Sequence, residues 1–319
     1  MVKSVSYIVP VYNTPENLLQ RCLRSILASA VPDFEIIVVD DDSIDNTAEM
    51  VVDDLRDSRI RYYRKSHAGQ GAARNFALDK ATKDYIQFVD TDDFLITPAY
   101  KRFLECFCEE DCDLMLFDYA KVCDGQTIVP KSNGRILLQT SGLESIYTQK
   151  YLGVVWSFVV KRSVVGDLRF PEGLYHEDEQ FLPLLLLRVD KLVVTDFTCY
   201  GYYQRSNSTV SNLSPQHISK RFFDMLLVIA SLVRHADASE LNERKALMFR
   251  VYQLDAALLY NIIRQSPDRQ FFDTRVERLY RQGRLPLPKI DNGLKYNALR
   301  VAVKSRVAVS FLFVIRKFL

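Results

Sequence analysis

Short apolar segments alternate with helical patterns over the N-terminal part of the chain. The segments span Val5–Val9, Phe34–Val39, Ile60–Tyr63 and Tyr85–Val89, and between them apolar residues recur at the spacing of amphipathic helices. Because the connections are short, this order predicts a mostly parallel sheet flanked by helices, the α/β class. Sheets of this kind bind their ligands beyond the carboxyl ends of the strands.

Polar residues follow three of these strands. They are Pro10-Val11-Tyr12-Asn13, where Pro10 is predicted to end the first strand, Asp40-Asp41-Asp42, and Asp90-Thr91-Asp92-Asp93. Parallel strands place their carboxyl ends at one edge of the sheet, so we expect these groups to converge. Carboxylates this close repel one another unless a cation lies among them, and Mg²⁺ or Mn²⁺ is the ion that carboxylates and phosphates hold together. Helix capping, the alternative role for such an aspartate, accounts for one of them.

The pattern changes after residue 112. Asp113–Tyr119, Leu192–Val194 and Thr198–Tyr203 predict further strands, and the polar stretch at 124–134 predicts a loop or hairpin. Helical stripes begin at Pro215 and break at residues 285–288. We therefore expect two halves of one sheet domain at 1–112 and 113–212, a helical extension at 213–288 and a tail at 289–319.

The cysteines do not suggest a metal or disulfide framework. Six are present, and the cluster Cys106-Phe107-Cys108…Cys112 lacks the spacing of a zinc site, so we expect buried thiols. No signal-peptide pattern precedes the first strand, and no apolar run reaches the ~20 residues that span a bilayer. These features predict a protein of the reducing cytoplasm.

Four segments carry a family resemblance. They are SYIVPVYNTPENLLQRCLRSILA, FEIIVVDDDSIDNTAEMV, GQGAARNFAL and YIQFVDTDDFL, in this order and at this spacing. Together they resemble the family 2 inverting glycosyltransferases of bacterial polysaccharide assembly, which have the Rossmann-like GT-A fold. The resemblance is close over roughly the first hundred residues and looser to about residue 210. It implies a nucleotide-sugar donor, with a UDP-sugar expected, and a bound Mn²⁺ or Mg²⁺.

The resemblance assigns the donor side position by position. Asp41 matches the acid that hydrogen-bonds the base, usually uracil, and Arg74 matches a basic residue near the donor. Asp90 matches a group at the ribose and metal, and Asp92 matches the ligand that holds the metal on the diphosphate. Arg205 matches a cation for the diphosphate, although a generic polar loop explains it equally well. The full donor set is Pro10, Val11, Tyr12, Asn13, Asp41, Arg74, Asp90, Thr91 and Arg205, with Asp92 and Asp90 on the metal.

Two positions depart from the family pattern. Asp42 stands where the family usually has glycine, and we expect the turn to survive because Asp tolerates a positive φ better than most residues. His67 stands where Asn is common, and it is either a pocket residue or a polar loop residue. The resemblance leaves the role of Asp93 open.

The acceptor side is represented by His176-Glu177-Asp178-Glu179. A sugar hydroxyl needs a general base, and the resemblance assigns that role to Asp178 with Glu177 in support. Acids in the first turn of a helix are the alternative, and which of the two carboxylates is the base stays open. His176 is expected to be polar surface, and Trp156 to be a core residue rather than a sugar-stacking ring.

The tail is basic. From Lys289 onward it holds seven Lys or Arg and one Asp, a net charge of +6 in a chain of net charge +2. In Leu294–Leu319 these cations lie among Val, Leu and Phe, which predicts a basic amphipathic helix on the inner face of the cell membrane. Packing on the core is the alternative. Membrane contact would suit the glycan or lipid-linked saccharide acceptor that the resemblance implies.

Other function classes fit less well. A nucleotidyltransferase needs a Gly-rich, Lys-containing loop after the first strand, where this chain has Val11-Tyr12-Asn13-Thr14-Pro15. A non-catalytic GT-A-like binding protein would have no need for the acids at Asp92 and Asp178. Nucleic acid is not an expected partner, because the basic residues cluster only in the tail.

Overall fold

A computed structural model describes residues 3–29, 31–123, 134–148, 153–204 and 213–315. Its contacts divide the chain into two compact units, residues 1–206 and 207–319. The first unit holds a sheet with its helices, and the second is helical. The finer boundaries at 112 and 288 stay predictions. The stretch predicted as a loop or hairpin lies almost wholly outside the described residues.

The first unit alternates strands and helices along most of its length. Its strands are β1 (Val5–Val11), β2 (Phe34–Asp40), β3 (Ile60–Arg64), β4 (Tyr85–Phe88), β5 (Phe94–Leu95), β6 (Leu114–Val122), β7 (Ile136–Thr140), β8 (Phe158–Lys161) and β9 (Leu192–Tyr203). Its helices are α1 (Glu16–Ser29), α2 (Thr47–Leu55), α3 (Gln70–Lys80), α4 (Thr97–Glu109), α5 (Gly142–Thr148), α6 (Arg162–Val165) and α7 (Glu177–Leu186).

The described strands form one sheet in the order β3-β2-β1-β4-β8-β6-β9-β5, and β7 pairs with the first half of β9. The four strands β3, β2, β1 and β4 all pair in parallel. In the other half β8 runs antiparallel to β4 and β6, whereas β6 and β9 are parallel. The predicted α/β fold, a mostly parallel sheet flanked by helices with a helical C-terminal region, is confirmed.

The prediction that Pro10 ends the first strand is wrong. β1 continues to Val11, and Pro10 lies opposite Val39 of β2. The last pair between β1 and β4 is Ile8–Phe88, so Pro10 lies beyond the end of β4. A proline is tolerated there because no strand on that side needs a hydrogen bond from the N–H that proline lacks.

The segment predicted as two strands is a single strand. The polar pair Thr195-Asp196 interrupts the apolar pattern, but β9 runs without a break from Leu192 to Tyr203. Thr195 is buried, and its hydroxyl donates to the carbonyl of Leu116 at 2.7 Å. The sheet therefore accommodates the polar side chain by a hydrogen bond, a solution that hydropathy alone does not reveal.

Both faces of the sheet are covered, which explains the continuous apolar runs of β1 and β2. Tyr7 lies in an apolar cluster with Phe103 of α4, and Phe88 packs edge-on against Phe181 of α7. Each fully buried side chain of this size contributes roughly 1.5–3 kcal/mol to folding. Trp156 is buried and stacks on Tyr200 at 4.4 Å between ring centroids, so it is a core residue as expected.

The cysteines are only partly as expected. Cys22, Cys112 and Cys199 are buried, and burial raises the pKa of each thiol. Cys108 and Cys123 are exposed instead, and Cys106 is half-buried. The prediction of buried thiols therefore holds for half of them.

The second unit is built from helices α8 (Pro215–Ala238), α9 (Leu241–Gln265), α10 (Arg269–Arg281), α11 (Gly293–Ala302) and α12 (Arg306–Ile315). Asp268 caps α10, because its carboxylate accepts a hydrogen bond from the N–H of Phe271 at 2.8 Å. Within the ranges that the structure describes, no helix combines the length and the apolar character needed to cross a bilayer.

The tail forms two helices, α11 and α12, rather than the single helix predicted. The chain turns between them at 303–305, where the hydroxyl of Tyr280 donates to the carbonyl of Val303 at 2.8 Å. One face of the pair packs on its own unit through buried Tyr296, Val303 and Val309. The opposite face leaves large apolar side chains exposed: Leu294, Val301, Phe311 and Val314. The tail thus packs on the core, the alternative weighed from the sequence, and still presents an apolar surface.

Candidate active site

The loops after β1, β2 and β4 converge, as the sequence predicted. Asn13 joins the first two, because its N–H donates to Ser43 Oγ and its Oδ1 accepts from the N–H of Ile44, each at 2.9 Å. The hydroxyls of Thr14 and Thr91 lie 2.8 Å apart and join the first loop to the third. Of the predicted pocket residues, Pro10 and Val11 are buried at the end of β1, whereas Tyr12 and Asn13 in the loop that follows reach the surface.

The turn after β2 keeps its shape without glycine. Asp42 has φ 66°, the left-handed conformation that glycine adopts most readily. The carboxylate of Asp40 accepts a hydrogen bond from the N–H of Ser43 at 2.8 Å and closes the turn. The expectation that Asp42 preserves this turn is therefore confirmed.

Asp41 is an anchored carboxylate, only 2% exposed. Its Oδ1 accepts from Lys65 Nζ at 2.9 Å and from the N–H of Ala68 at 3.0 Å. Its Oδ2 accepts from the N–H of Gly69 at 2.7 Å and lies 2.9 Å from His67 Nδ1. Four donors therefore surround the side chain predicted to bind the base, and together they hold the segment after β3 against the end of β2.

The rings of Tyr12 and His67 stack beside this carboxylate. Their centroids are 4.5 Å apart, with 29° between the ring planes. Tyr12 is 50% exposed, and the His67 side chain is 52% exposed. A flat ligand approaching Asp41 from solvent would meet these two rings first.

Arg74 of α3 joins the turn after β4 to the acids at the start of α7. Its guanidinium is buried and donates to Asp90 Oδ1 at 2.9 Å and to Glu177 Oε1 at 2.6 Å. Burial opposes the charge, but the carboxylates of Asp90 and Glu177 outweigh it and raise the pKa of Arg74. Asp90, predicted to bind the donor, and Glu177, predicted to lie on the acceptor side, are thus bound to the same guanidinium.

The turn after β4 is fixed from several sides. The N–H of Asp90 donates to Tyr200 Oη at 3.0 Å, and Arg21 Nη2 donates to the carbonyl of Asp92 at 2.7 Å. Asp93 is buried, and its Oδ1 accepts from the N–H of Tyr203 at 2.8 Å. Burial, together with the charges of Asp92 and Asp90, raises the pKa of Asp93 to about 8. Its Oδ2 is buried and has no hydrogen-bond donor among the described residues.

These acids suit a hard divalent cation completed by substrate phosphates. In the described part of the chain, no group of three or more His, Cys, Asp or Glu side chains is arranged to hold a metal by itself. Mg²⁺ is commonly bound through one or two carboxylates plus phosphate oxygens, so a protein-only cage is not required. Burial is the main cause of the raised pKa of Asp93, and the neighbouring charges of Asp92 and Asp90 add to it, so three carboxyl groups lie close together in this turn. Asp90 and Asp92 therefore fit the predicted role.

The acceptor-side acids open α7. His176 precedes the helix with φ 65°, Glu177 is buried against Arg74, and Asp178 is half-buried. Burial, together with the neighbouring charges of Glu177 and Glu179, raises the pKa of Asp178 well above its ordinary value. Glu177 is thus committed to an ion pair, whereas Asp178 lies in surroundings that favour proton uptake. Both remain first-turn acids, so the structural role weighed from the sequence also applies.

Several supporting residues were missed by the sequence reasoning. Gln70 donates to Asp90 Oδ1 at 3.0 Å, and Asn75 accepts from the N–H of Phe170 at 2.8 Å, which fixes the segment before α7. Gly71 allows that approach, because a Cβ there would lie 2.7 Å from the carbonyl of Pro171. All three lie in the quoted GQGAARN segment, so its polar residues and glycines were the available signal. Lys65 had no such signal. Arg205 lies outside the described residues.

Comparisons with known proteins identify the family of this chain. Residues 6–169 match the model of the family Glycosyl transferase family 2. The uncharacterized glycosyltransferase EpsJ of Bacillus subtilis (strain 168) is 29% identical over 218 residues, which cover 65% of this chain and 63% of EpsJ. The chain therefore spans slightly less than two thirds of the length of that relative.

A second similar protein is a glucosyltransferase with a named donor. The UDP-Glc:alpha-D-GlcNAc-diphosphoundecaprenol beta-1,3-glucosyltransferase WfgD of Escherichia coli is 28% identical over 225 residues, which cover 70% of this chain and 85% of WfgD.

Solved structures show the same fold at low identity. S. aureus TarS 1–349 in complex with UDP-GlcNAc has a TM-score of 0.58 and 21% identity, covering 88% of this chain and 92% of that one. The mannosyltransferase PcManGT from Pyrobaculum calidifontis, in complex with GDP-Man and Mn²⁺, has a TM-score of 0.55 and 13% identity, covering 98% and 86%. The family model covers about half of the chain, and it falls on the unit that holds the sheet and the convergent acids. The chain belongs to glycosyl transferase family 2, with the GT-A fold.

Proposed function

We propose that this protein is an inverting glycosyltransferase that moves a sugar from a nucleotide-sugar, a UDP-sugar, to a hydroxyl of a glycan or lipid-linked acceptor. The observation that carries the proposal is the buried line Asp90–Arg74–Glu177. It joins the strand edge where a donor diphosphate would lie to the helix that bears the candidate base. Binding and proton transfer would then share one rigid support.

The donor would lie along the convergent loops. Tyr12 and Asp41 offer a ring face and a carboxylate for the base, and Thr91 and Asp90 lie at the end of β4 for the ribose and diphosphate. The names of two similar proteins support a uridine nucleotide, because WfgD is described with UDP-Glc and TarS was solved with UDP-GlcNAc. PcManGT was solved with GDP-Man, so guanosine donors belong in any test.

Mn²⁺ or Mg²⁺ would be held by Asp92 with Asp90, together with the donor diphosphate. The ion would supply positive charge to the leaving diphosphate. From the protein itself, Arg21 and Tyr200 hold the turn that presents these acids, through the carbonyl of Asp92 and the N–H of Asp90. These bonds hold the backbone of the turn, from which both carboxyl groups project.

Asp178 is the proposed base. It would take the proton of the acceptor hydroxyl while that oxygen attacks the anomeric carbon, and the bond from that carbon to the diphosphate oxygen would break on the opposite face. The configuration would therefore invert. The raised pKa of Asp178 makes it a stronger proton acceptor than an ordinary carboxylate, as long as the pH leaves it ionised. Glu177, paired with Arg74, would keep α7 in position.

The direct test is donor hydrolysis and transfer by the full chain with Mn²⁺ and a panel of UDP- and GDP-sugars. We expect a UDP-sugar to raise the melting temperature and to be turned over, with an inverted anomeric configuration in the product. Asp92→Ala should remove the metal dependence of the thermal shift, whereas Asp57→Ala, in an exposed ion pair, should leave it intact. Equal metal-dependent shifts in wild type and Asp92→Ala would contradict the site. Donor binding without turnover on any acceptor would favour the non-catalytic alternative.

We also propose that the tail contacts an anionic bilayer. The exposed side chains Leu294 and Val301 are seven residues apart on α11, and Phe311 and Val314 are three apart on α12, so each pair shares one helix face. Exposed Lys295 and Lys304 supply positive charge nearby. Such a surface suits the interface of a membrane with negative lipids, on its cytoplasmic side.

Substitution is a sharper test of the tail than truncation, because the buried face of the tail belongs to the helical unit. We expect the triple change Val301→Ser, Phe311→Ser and Val314→Ser to lower co-sedimentation with phosphatidylglycerol vesicles about tenfold, and vesicles of neutral lipid to bind poorly. Leu241→Ser, at another exposed apolar side chain of the second unit, is the control. Undiminished binding by the triple variant would refute membrane contact through this face.

A further inference from the structure

We propose that the imidazole of His67 occupies the base position of the donor site, so that the nucleotide base must displace the imidazole in order to bind. The inference rests on the proposed function, since it assumes that Tyr12 and Asp41 receive a base. It assigns His67 a specific part in donor affinity, in place of the two alternatives that the sequence left open.

The first observation is the ring contact. The imidazole stacks on Tyr12 with 4.5 Å between centroids and 29° between planes. Tyr12 is exposed and adjoins the candidate base reader, so its ring face is the natural platform for a flat heterocycle. His67 covers that platform with a flat heterocycle of its own.

The second observation is the hydrogen bond at the other end of the imidazole. His67 Nδ1 lies 2.9 Å from Asp41 Oδ2 and 3.1 Å from the backbone carbonyl oxygen of Asp41. Both oxygens are acceptors, so Nδ1 carries the proton and donates. A planar ring that rests on Tyr12 and donates an N–H to Asp41 reproduces the contacts that a uracil ring would make there.

The third observation concerns which donor of Asp41 can leave. Two of the four donors are the backbone N–H groups of Ala68 and Gly69, and moving them would disrupt the segment before α3. Lys65 is held in addition by the carbonyl of Ser66 at 2.6 Å. The His67 side chain is 52% exposed and can swing into solvent by rotation about its own side-chain bonds. Of the four donors, the imidazole is therefore the one that can leave Asp41 with the smallest loss of other contacts, and its departure frees a carboxylate oxygen to accept a new hydrogen bond.

If the base must displace the imidazole, the free energy of nucleotide binding is reduced by the energy of the contacts that His67 makes with Tyr12 and Asp41. A ring stack and one hydrogen bond to a carboxylate together correspond to a change of roughly 5- to 30-fold in affinity. Removing the imidazole should therefore tighten binding of the nucleotide, and the gain should depend on the presence of a base.

The experiment is calorimetric titration of the full chain with UDP and, separately, with inorganic pyrophosphate, both with Mn²⁺. We expect His67→Ala to bind UDP about 5- to 30-fold more tightly than wild type, and pyrophosphate equally. His67→Asn should fall between the two, because an amide can still donate to Asp41 but cannot stack as a ring. Ser66→Ala, at the exposed neighbouring position, should behave as wild type. Thermal unfolding of each chain checks that it is folded.

Each outcome bears on the inference. If wild type binds UDP and His67→Ala binds it equally or more weakly, the imidazole does not compete with the base and the inference is overturned, while the proposed function stands. An equal gain for UDP and pyrophosphate would also overturn it, because the effect would then lie away from the base. If UDP binds neither wild type nor any of the variants, the proposed use of a UDP-sugar fails together with the inference.

Discussion

The corner around Asp41 and the start of α7 around Asp178 place similar carboxylates in opposite surroundings. Asp41 is encircled by four donors from the segment after β3. Asp178 adjoins two other acids, and burial with their charges raises its pKa. Hydrogen-bond donors around a carboxylate stabilise its ionised form and hold its oxygens in place. Neighbouring acids destabilise the ionised form, so the carboxylate takes up a proton more readily. Arg74 connects the start of α7 to the turn after β4, through Glu177 and Asp90.

Asp178→Asn should have the largest effect on activity. We expect transfer to fall about 10³-fold while donor binding is retained, because general-base catalysis typically contributes 10²–10⁴-fold. At alkaline pH the same change should also raise the free energy of unfolding, since it removes a carboxylate whose ionised form is disfavoured by burial and by the charges of Glu177 and Glu179. Radiometric transfer assays and urea unfolding measure the two effects. Full activity in the variant would move the base elsewhere.

Arg74→Gln should be the most destabilising change. It leaves Asp90 and Glu177 without their shared cation, and breaking a buried ion pair by removing one partner typically costs about 3–5 kcal/mol. Arg59→Gln is the matched control, because Arg59 pairs with Asp57 on the surface and such pairs contribute about 1 kcal/mol or less. Urea unfolding of both variants measures the difference. Similar losses in the two variants would contradict the role of Arg74 as the central connection.

Asp41→Asn should act in the opposite direction to Asp178→Asn. An amide has one acceptor oxygen in place of two, so part of the donor set loses its partner, and we expect the free energy of unfolding to fall by about 1–3 kcal/mol. UDP affinity should fall about tenfold in the same variant. Urea unfolding and calorimetry test the two effects. If Asp41→Asn were more stable than wild type, the surroundings of Asp41 and Asp178 would not differ in their effect on the ionised carboxylate.

Asp255 in the second unit provides a test outside the sheet unit, because this carboxylate is both buried and paired with a cation. It is buried and pairs with Arg284 at 3.2 Å, yet burial dominates and raises its pKa to about 6. A raised folded-state pKa in an acid means that its contribution is present below its unfolded pKa and is lost as the pH rises through the folded pKa. We therefore expect this contribution to decline between about pH 4 and pH 6 by roughly 2–3 kcal/mol.

The measurement is the difference in unfolding free energy between wild type and Asp255→Asn, which cancels the titration of the other groups. The variant should gain on wild type as the pH rises across this window, since an amide does not ionise. Asp237→Asn, in an exposed pair with Arg244, serves as the control and should show little change with pH. A constant difference between Asp255→Asn and wild type would mean that Arg284 neutralises Asp255 fully.

The sequence by itself determined the local elements and the character of the strand ends. Strand and helix periodicity depends on neighbouring residues, so β1 to β4 were predicted close to their observed bounds, and the helices between them and the acidic turns after β2 and β4 were predicted in the observed order. Where a local rule competed with the sheet, the prediction failed: Pro10 lies inside β1, and polar Thr195 lies inside β9. The neighbouring strands decided both outcomes: β4 ends before it reaches Pro10, and β6 supplies the carbonyl of Leu116 to the hydroxyl of Thr195.

The tertiary structure alone decided which side chains meet. Arg74 reaches Glu177 across 103 positions of sequence, and Asp93 reaches the N–H of Tyr203 across 110. The stack of His67 on Tyr12 and the packing of α11 and α12 on their own unit are contacts of the same kind. No periodic pattern encodes such pairs, since they depend on how helices and loops pack over the sheet. The residue types indicated the chemistry, and the fold determined their positions relative to one another.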